Sequence, residues 1–339
     1  MRLQRLCRAA SSKSIIEIPW RFMMILAVLS CVGCRDDTPP PTLRVAVNPW
    51  PGYSFVYLAE EKGFFRAEGV SVRLIELASL ADSRRVFEQG QADVTCCTLI
   101  EVLLMNDAGD EDPVRVVSAV DYSNGSDMLL GRSSIKNMKS LRGHRIGVEP
   151  ESVDGLSVFL ALSSVGLTLE DVTLVPLAQS EMVEAIKTGR VDAVQSYPPT
   201  SDLIGAQPGV HRLWDSSQAP ATILDVLAVR DSTLDERSED VRALIRAYGR
   251  AQDFYRQHKQ QATEILARRC GLSEDALAQS LDGIRVLDHS GAEAQQVFHR
   301  QGSQSVTAKV AEGLMTIGML QRFPRQNPFD ARFRELTPP

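Results

Sequence analysis

From residue 43 onward, short runs rich in β-branched residues alternate with segments whose apolar positions recur every three to four residues, the order expected of an α/β sheet with helical connections. Leu43–Val47 predicts a strand, Ser54–Lys62 a helix closed by Gly63, and Val70–Leu77 a second strand. Further on, Leu156–Leu162 predicts a helix with Ser152 or Asp154 as its N-cap. From about Glu236 to Gln321 the pattern is nearly all helical, with amphipathic repeats at Val241–Arg256 and Thr263–Arg269, and Phe323–Pro339 is expected to be an irregular tail.

One pattern occurs twice. Leu80-Ala-Asp-Ser-Arg-Arg-Val-Phe-Glu-Gln-Gly90-Gln-Ala-Asp93-Val94 is echoed by Gln179-Ser-Glu-Met-Val-Glu-Ala-Ile-Lys-Thr-Gly189-Arg-Val-Asp192-Ala-Val194, each copy following a strand-like run. Each copy reads helix, terminating glycine, aspartate, strand, and the glycine suits the left-handed position just past a helix. The 99-residue offset is too long for a solenoid and fits two lobes of similar build. The expected division is lobe 1 over 43–122 and 223–322 with the C-terminal helices, and lobe 2 over 123–222. The two crossings fall near Asp121–Asp127 and Ser217–Asp225.

The N-terminus changes the picture. Residues 1–33 hold Arg2, Arg5, Arg8, Lys13 and Arg21 against Glu17, a net of +4 where the whole chain is −6, which leaves −10 for the rest. The apolar run Phe22–Gly33 fits the core of a secretory signal and is too short for a membrane span. Val-Leu-Ser-Cys31 and Cys-Val-Gly-Cys34 both resemble a bacterial lipobox, so Cys34 or Cys31 is the expected acylation site. Residues 34–42, rich in proline, follow as an extended tether. The expected location is the periplasmic face of a bacterial membrane.

At 44% hydrophobic and 24% charged the 339-residue chain is globular in composition, and its acidic body makes it a poor partner for nucleic acid. Cys96, Cys97 and Cys270 are too few for a disulfide framework, and the adjacent pair reads as two small residues on a buried strand. The five histidines show no H-x-x-x-H spacing, and there is no G-x-S-x-G, P-loop or G-x-G-x-x-G; no metal or cofactor is expected.

Thr42-Leu-Arg-Val-Ala-Val-Asn-Pro-Trp-Pro-Gly-Tyr53, Tyr57-Leu-Ala-Glu-Glu-Lys-Gly-Phe-Phe65, Glu68-Gly-Val-Ser-Val72, Gln89–Val94, Leu141–Val148 and Gly189–Asp192 resemble the nitrate, sulfonate, taurine and thiamine-pyrimidine-precursor binding proteins of ABC importers. The resemblance spans about residues 42–270. It implies a type II periplasmic binding protein fold, with two α/β lobes, two hinge crossings and a cleft that closes on a small molecule for delivery to a permease. The implied protein is a monomer without catalytic activity.

In parallel α/β sheets ligands sit at the carboxyl ends of strands. Those ends place Asn48, Trp50, Tyr53, Ser79, Thr98, Ser152, Asp154 and Tyr197 at the expected cleft; Asp121 falls at the first crossing, and Glu101 and Asp225 are added as acids that adjoin the apolar runs Val102–Met105 and Val226–Val229. Trp50 and Tyr53, in a Pro/Gly-rich loop, are expected to stand at the surface as stacking rings. Ser79, Thr98 and Ser152 read equally as helix caps. Glu149, Glu151, Asp127, Asp202 and Asp215 add to the acids nearby, while the nearest bases are Arg84, Arg85 and Arg212. That balance favours a neutral or cationic nitrogen heterocycle as ligand, a small anion such as a sulfonate or nitrate being the alternative. Two other functions stay open at this point. One is a receptor lobe that feeds a membrane sensor. The other is an enzyme on the same fold, such as a pyrimidine synthase, whose cysteine-rich motif lies where Thr95-Cys-Cys-Thr98 stands.

Overall fold

The strands are β1 (Leu43–Val47), β2 (Val72–Glu76), β3 (Val94–Thr98), β4 (Val114–Ser123), β5 (Met128–Arg132), β6 (Arg145–Val148), β7 (Thr173–Pro176), β8 (Ala193–Ser196), β9 (Val210–Asp215), β10 (Leu224–Arg230) and β11 (Ile284–Val286). They form two sheets, ordered β11-β4-β10-β3-β1-β2 and β7-β6-β8-β5-β9. The computed structural model describes residues 42–109, 111–288, 291–299, 302 and 305–333. Cys31, Cys34, the signal-like run and all of the tether but Thr42 lie outside the described residues.

The helices are α1 (Ser54–Glu61), α2 (Phe64–Ala67), α3 (Leu80–Glu88), α4 (Leu99–Ala108), α5 (Val153–Ser163), α6 (Gln179–Thr188), α7 (Thr200–Gly205), α8 (Asp231–Gln257), α9 (Lys259–Cys270), α10 (Glu274–Asp282), α11 (Ala292–His299) and α12 (Val306–Thr316). Among the described residues no helix is long and apolar enough to cross a membrane.

The two sheets repeat one design. In the first, β1 pairs parallel with β2 and β3, and β10 then joins β3 antiparallel; in the second, β6 pairs parallel with β7 and β8, and β5 joins β8 antiparallel. The repeated sequence motif fixes the joint. After α3 and α6, Gly90 and Gly189 take φ of 70° and 77°, the left-handed turn that a side chain resists. Asp93 then accepts from the Arg44 backbone N–H (2.8 Å), its Nε (3.1 Å) and its Nη2 (2.6 Å). Asp192 accepts from the corresponding atoms of Arg145 at 2.9, 3.1 and 3.1 Å. Each aspartate thus ties the start of the third parallel strand to the start of the first.

Two details of the C-terminal region go beyond the expectations. The nearly all-helical stretch also holds one short strand, Ile284–Val286, which adds a sixth strand to the first sheet, antiparallel to β4. The irregular tail is tied down: Phe329 bridges to Val116, the Val116 N–H donates to the Pro328 carbonyl at 2.9 Å, and Phe329 and Phe333 are buried. Apolar burial of that kind is worth about 1.5–3 kcal/mol for a large side chain.

The largest apolar cluster lies around the first sheet and takes in Val153, Leu156 and Tyr197 from the second lobe. The chain passes between the sheets at 124–127 and 216–223. There the Ser123 and Ser216 hydroxyls lie 2.7 Å apart, and Ser216 Oγ also accepts from the Gly125 N–H at 2.7 Å.

Candidate functional site

The carboxyl ends of β1 and β3 and the amino end of the antiparallel β10 meet the carboxyl ends of β6 and β8 across the gap between the lobes. Asn48, Trp50, Tyr53, Thr98 and Asp225 from the first lobe, Tyr197 and Val153 from the second, and Leu80 and Asp127 line one cavity. Its volume is about 10 Å³, room for about one water. The lobes therefore lie against each other. The Tyr197 hydroxyl accepts from the Leu80 N–H at 3.0 Å and donates to Glu149 Oε2 at 3.2 Å, and Arg84 Nη1 reaches the Glu151 carbonyl at 2.9 Å.

Trp50 and Tyr53 are buried, at 6% and 1% exposure, which corrects the expectation of surface rings. Pro51–Tyr53 forms a 3-10 turn that folds both under the opposite lobe. Trp50 meets Tyr197 edge-on, with centroids 6.3 Å apart and planes at 74°. Its Nε1 donates to both Asp121 oxygens at 3.2 Å, and the Tyr53 hydroxyl donates to Asp225 Oδ1.

Most of the other expected residues stand at helix starts, and of these only Thr98 lines the cavity. Ser79 caps α3, its hydroxyl accepting from the Asp82 N–H at 3.2 Å. Thr98 and Glu101 form a capping box on α4: Glu101 Oε2 accepts the Thr98 N–H at 2.9 Å and the Thr98 hydroxyl. Ser152 caps α5, and Asp154 accepts the Glu149 N–H at 2.8 Å. Asp121 faces Asp225 across the β4–β10 ladder. Leu80, Asp127 and Val153 were not among the expected cavity residues. Leu80 and Val153 look like ordinary first residues of apolar helices, while Asp127 carried a signal, being an acid beside the first crossing.

Electrostatically the cleft is a set of buried acids. Burial pushes Glu101 up to about 7 and Asp127 up to about 6, each partly relieved by a neighbouring hydroxyl. Asp154 is raised by burial and by the nearby Glu149. Asp121 and Asp225 are both raised, first by burial, and the charge of Asp121 adds to the rise at Asp225. Glu101 Oε1, Asp127 Oδ2, Asp154 Oδ1 and Asp225 Oδ2 are buried with no hydrogen-bond partner. Arg84 lies near enough to lower Glu101, but its guanidinium is engaged by Glu88 at 2.8 Å and by the Glu151 carbonyl. Among the described residues no three His, Cys, Asp or Glu side chains gather as metal ligands.

The helix starts carry the decisive detail, because anions bind where backbone N–H groups are unsatisfied. At α3 the Glu149 carboxyl of the opposite lobe lies close enough to the Ser79 hydroxyl and the Ala81 N–H for them to offset part of the rise in its pKa that burial causes. At α4 that place is taken by Glu101, and at α5 Asp154 holds the preceding Glu149 N–H.

Two α/β lobes whose strand ends converge on a buried polar cavity are the architecture of the periplasmic binding protein fold. The chain belongs to the NMT1/THI5-like family, whose model matches residues 50–262. It is 26% identical over 257 residues to a Brucella abortus (strain 2308) protein named only as a binding protein, covering 72% of this chain and 76% of that one. It is 28% identical over 144 residues to the 4-amino-5-hydroxymethyl-2-methylpyrimidine phosphate synthase of Uromyces fabae, covering 41% and 40%. The fold matches the alkanesulfonate-binding protein SsuA from Xanthomonas axonopodis pv. citri bound to MOPS, with a TM-score of 0.70 and 17% identity over 84% of this chain and 95% of that one.

Proposed function

We propose that the chain is an extracytoplasmic solute-binding lipoprotein, acylated at Cys34 or Cys31, that captures a small nitrogen compound between its lobes and delivers it to an ABC permease. In this reading lobe 1 comprises 43–122 and 223–322 and lobe 2 comprises 123–222. The ligand is a neutral or cationic amine or nitrogen heterocycle, hydrogen-bonded by Asp225 and its neighbours, with Trp50, Tyr53 and Tyr197 as walls. The protein performs no chemistry on it.

One observation carries the choice of ligand: the chain's own carboxyls stand at the helix starts around the cleft, Glu101 bonded to the Thr98 N–H at α4, Asp154 in the first turn of α5, and Glu149 beside the start of α3. A nitrate or sulfonate entering there would meet carboxyls in place of free N–H groups, and an unmatched buried charge costs several kcal/mol. An ammonium or a ring N–H would instead satisfy the bare oxygens of Asp225 and Asp127. Against the synthase reading, Cys96 and Cys97 are fully buried in β3, outside the cavity lining, and burial raises both thiols well above their ordinary range.

A thermal-shift panel tests the reading. Thiamine-type pyrimidines, alkylamines and polyamines are set against taurine, alkanesulfonates and nitrate, and a ligand at 100 times its Kd is expected to add about 2.7 kcal/mol of stability. A response confined to the anions, and surviving both Glu101→Gln and Asp225→Asn, would overturn it.

A further inference from the structure

Outside Trp50 lies a second, larger space. This groove of about 160 Å³ is lined by Trp50, Tyr57, Leu272 and Leu277 from the first lobe and by Pro198 and Pro199 from the second. Trp50 is the wall common to the groove and the acid-lined cavity. Its indole is held in place by Asp121 on one side and by the edge of Tyr197 on another. The groove's cation, Arg269, is engaged, bonding Glu76 Oε2 at 3.1 Å and lying 4.5 Å over the Tyr57 ring. Its remaining lining is mostly apolar, with Asp202 at the lobe 2 edge.

The two volumes make a demand on the ligand. With the lobes in this arrangement the inner cavity, about 10 Å³, admits a group the size of a water or an ammonium and nothing larger. A bigger ligand requires the Trp50 wall to shift or the lobes to part, and the groove on the other side of Trp50 is mostly apolar and shared by both lobes.

We propose that the groove is the second half of the ligand site, and that the ligand is an elongated amine with its protonated nitrogen among the inner carboxyls and an apolar or aromatic body in the groove. This rests on the amine reading above and adds the requirement for a body. Because the groove is built from both lobes, filling it favours the closed arrangement, so the body contributes to capture as well as to affinity.

Calorimetric titration of the folded protein in phosphate buffer with methylamine, butylamine, benzylamine and benzyl alcohol tests it. Each methylene buried in the groove is worth roughly fourfold in affinity. Butylamine and benzylamine are therefore expected to bind at least about tenfold more tightly than methylamine, and benzyl alcohol not to bind. Leu272→Gln should shrink the butylamine-to-methylamine ratio, and Asp225→Asn should weaken every amine. Equal binding of short and long amines, or binding of benzyl alcohol as tight as that of benzylamine, overturns the two-part site; equal amine binding leaves the amine reading standing. Failure of every amine to bind takes down both.

Discussion

The two lobes share a skeleton and differ in what they place at its open end. Both use the same strand order and the same arginine–aspartate clamp, Arg44 with Asp93 and Arg145 with Asp192, each closed also by the aspartate N–H on the arginine carbonyl at 2.9 Å. Arg237 stands 3.9 Å from Asp93, and His144 3.4 Å from Asp192. The repeated motif is therefore chiefly a device for building a sheet, and of its residues only Leu80, the first of the first copy, lines the cavity. What differs is the loop after the first strand of each half. After β1, Asn48–Tyr53 delivers two rings and a polar amide; after β6, Glu149–Ser152 delivers a carboxylate that reaches across to the other lobe's helix.

The largest effect that tests this division is on pH dependence. The clamp aspartates are held below the usual carboxylate range, because the arginine hydrogen bonds outweigh the cost of burial. Their contribution is present above the unfolded pKa and is lost as pH falls through the folded one. Glu101 is opposite. Its folded pKa, about 7, exceeds the ordinary 4.5, so the native state keeps a proton the unfolded chain releases and stability falls as pH rises between those values. The shift corresponds to on the order of 3 kcal/mol. Urea midpoints at pH 5 and pH 8 should show the protein weaker at pH 8, and Glu101→Gln should flatten that difference. A wild type equally stable at both pH values would refute the description of the cleft acids. Affinity for an amine should rise across the same window.

Next in size is a contrast between two glycines at the starts of equivalent helices. A Cβ on Gly52 would fall 1.8 Å from Asp121 Oδ2 and 3.0 Å from Val120 Cγ1, whereas one on Gly155 meets the Met319 sulfur at 2.6 Å. Met319 can swing away; Asp121 is fixed by Trp50 and by its strand. Gly52→Ala should cost about 1–3 kcal/mol and weaken ligand binding, and Gly155→Ala should cost little. Equal melting temperatures for the two variants would count against a rigid Trp50–Asp121 pair.

A smaller contrast concerns the clamps themselves. The two aspartates are about equally buried, but Asp93 faces two arginines, Arg44 and Arg237, while Arg145, the arginine of the second clamp, is more open to solvent than Arg44. Asp93→Asn should cost about 1–2 kcal/mol after allowance for partial exposure. Asp192→Asn should change stability in the same direction by less. A larger loss in the second lobe, measured by urea midpoint, would break the ranking.

The skeleton was legible in the sequence because its signals are local. Leu43–Val47 is the strand observed, Ser152 is the cap observed, and the offset between Asp93 and Asp192 is the offset between the clamps. Arg44, second in β1, and Arg145, first in β6, were equally visible and were not linked to those aspartates, since nothing along the chain says which residue an acid will meet. The cleft was half legible for the same reason. Counting from strand ends reached Thr98 and Tyr197, and the second crossing pointed to Asp225; all three line the cavity. Neither could tell an acid that offers its oxygens to a ligand from one that spends an oxygen on the chain's own backbone N–H, which is what Glu101 and Asp154 do. Leu80 and Val153 gave no sign because an apolar residue at a lobe interface looks like any core residue. Three-residue β11 is too short to show alternation.

The smallest effect, and the sharpest test of how the halves meet, is at Tyr197. Its ring packs against Trp50, and its hydroxyl takes the Leu80 N–H from one lobe while giving its proton to Glu149 of its own. Tyr197→Phe keeps the packing and removes both bonds, leaving the Leu80 N–H without that acceptor when the lobes are together. Unfolding stability should move by no more than about 1 kcal/mol, because the first helical N–H can turn to water once the lobes part. The closed population bears the loss, and since apparent affinity scales with that population, ligand binding should weaken by up to about fivefold. Small-angle scattering of the ligand-free variant should show a larger radius of gyration than the wild type. If binding and scattering both stay at wild-type values while Trp50→Ala alters them, the lobes are held by the rings and not by the hydroxyl.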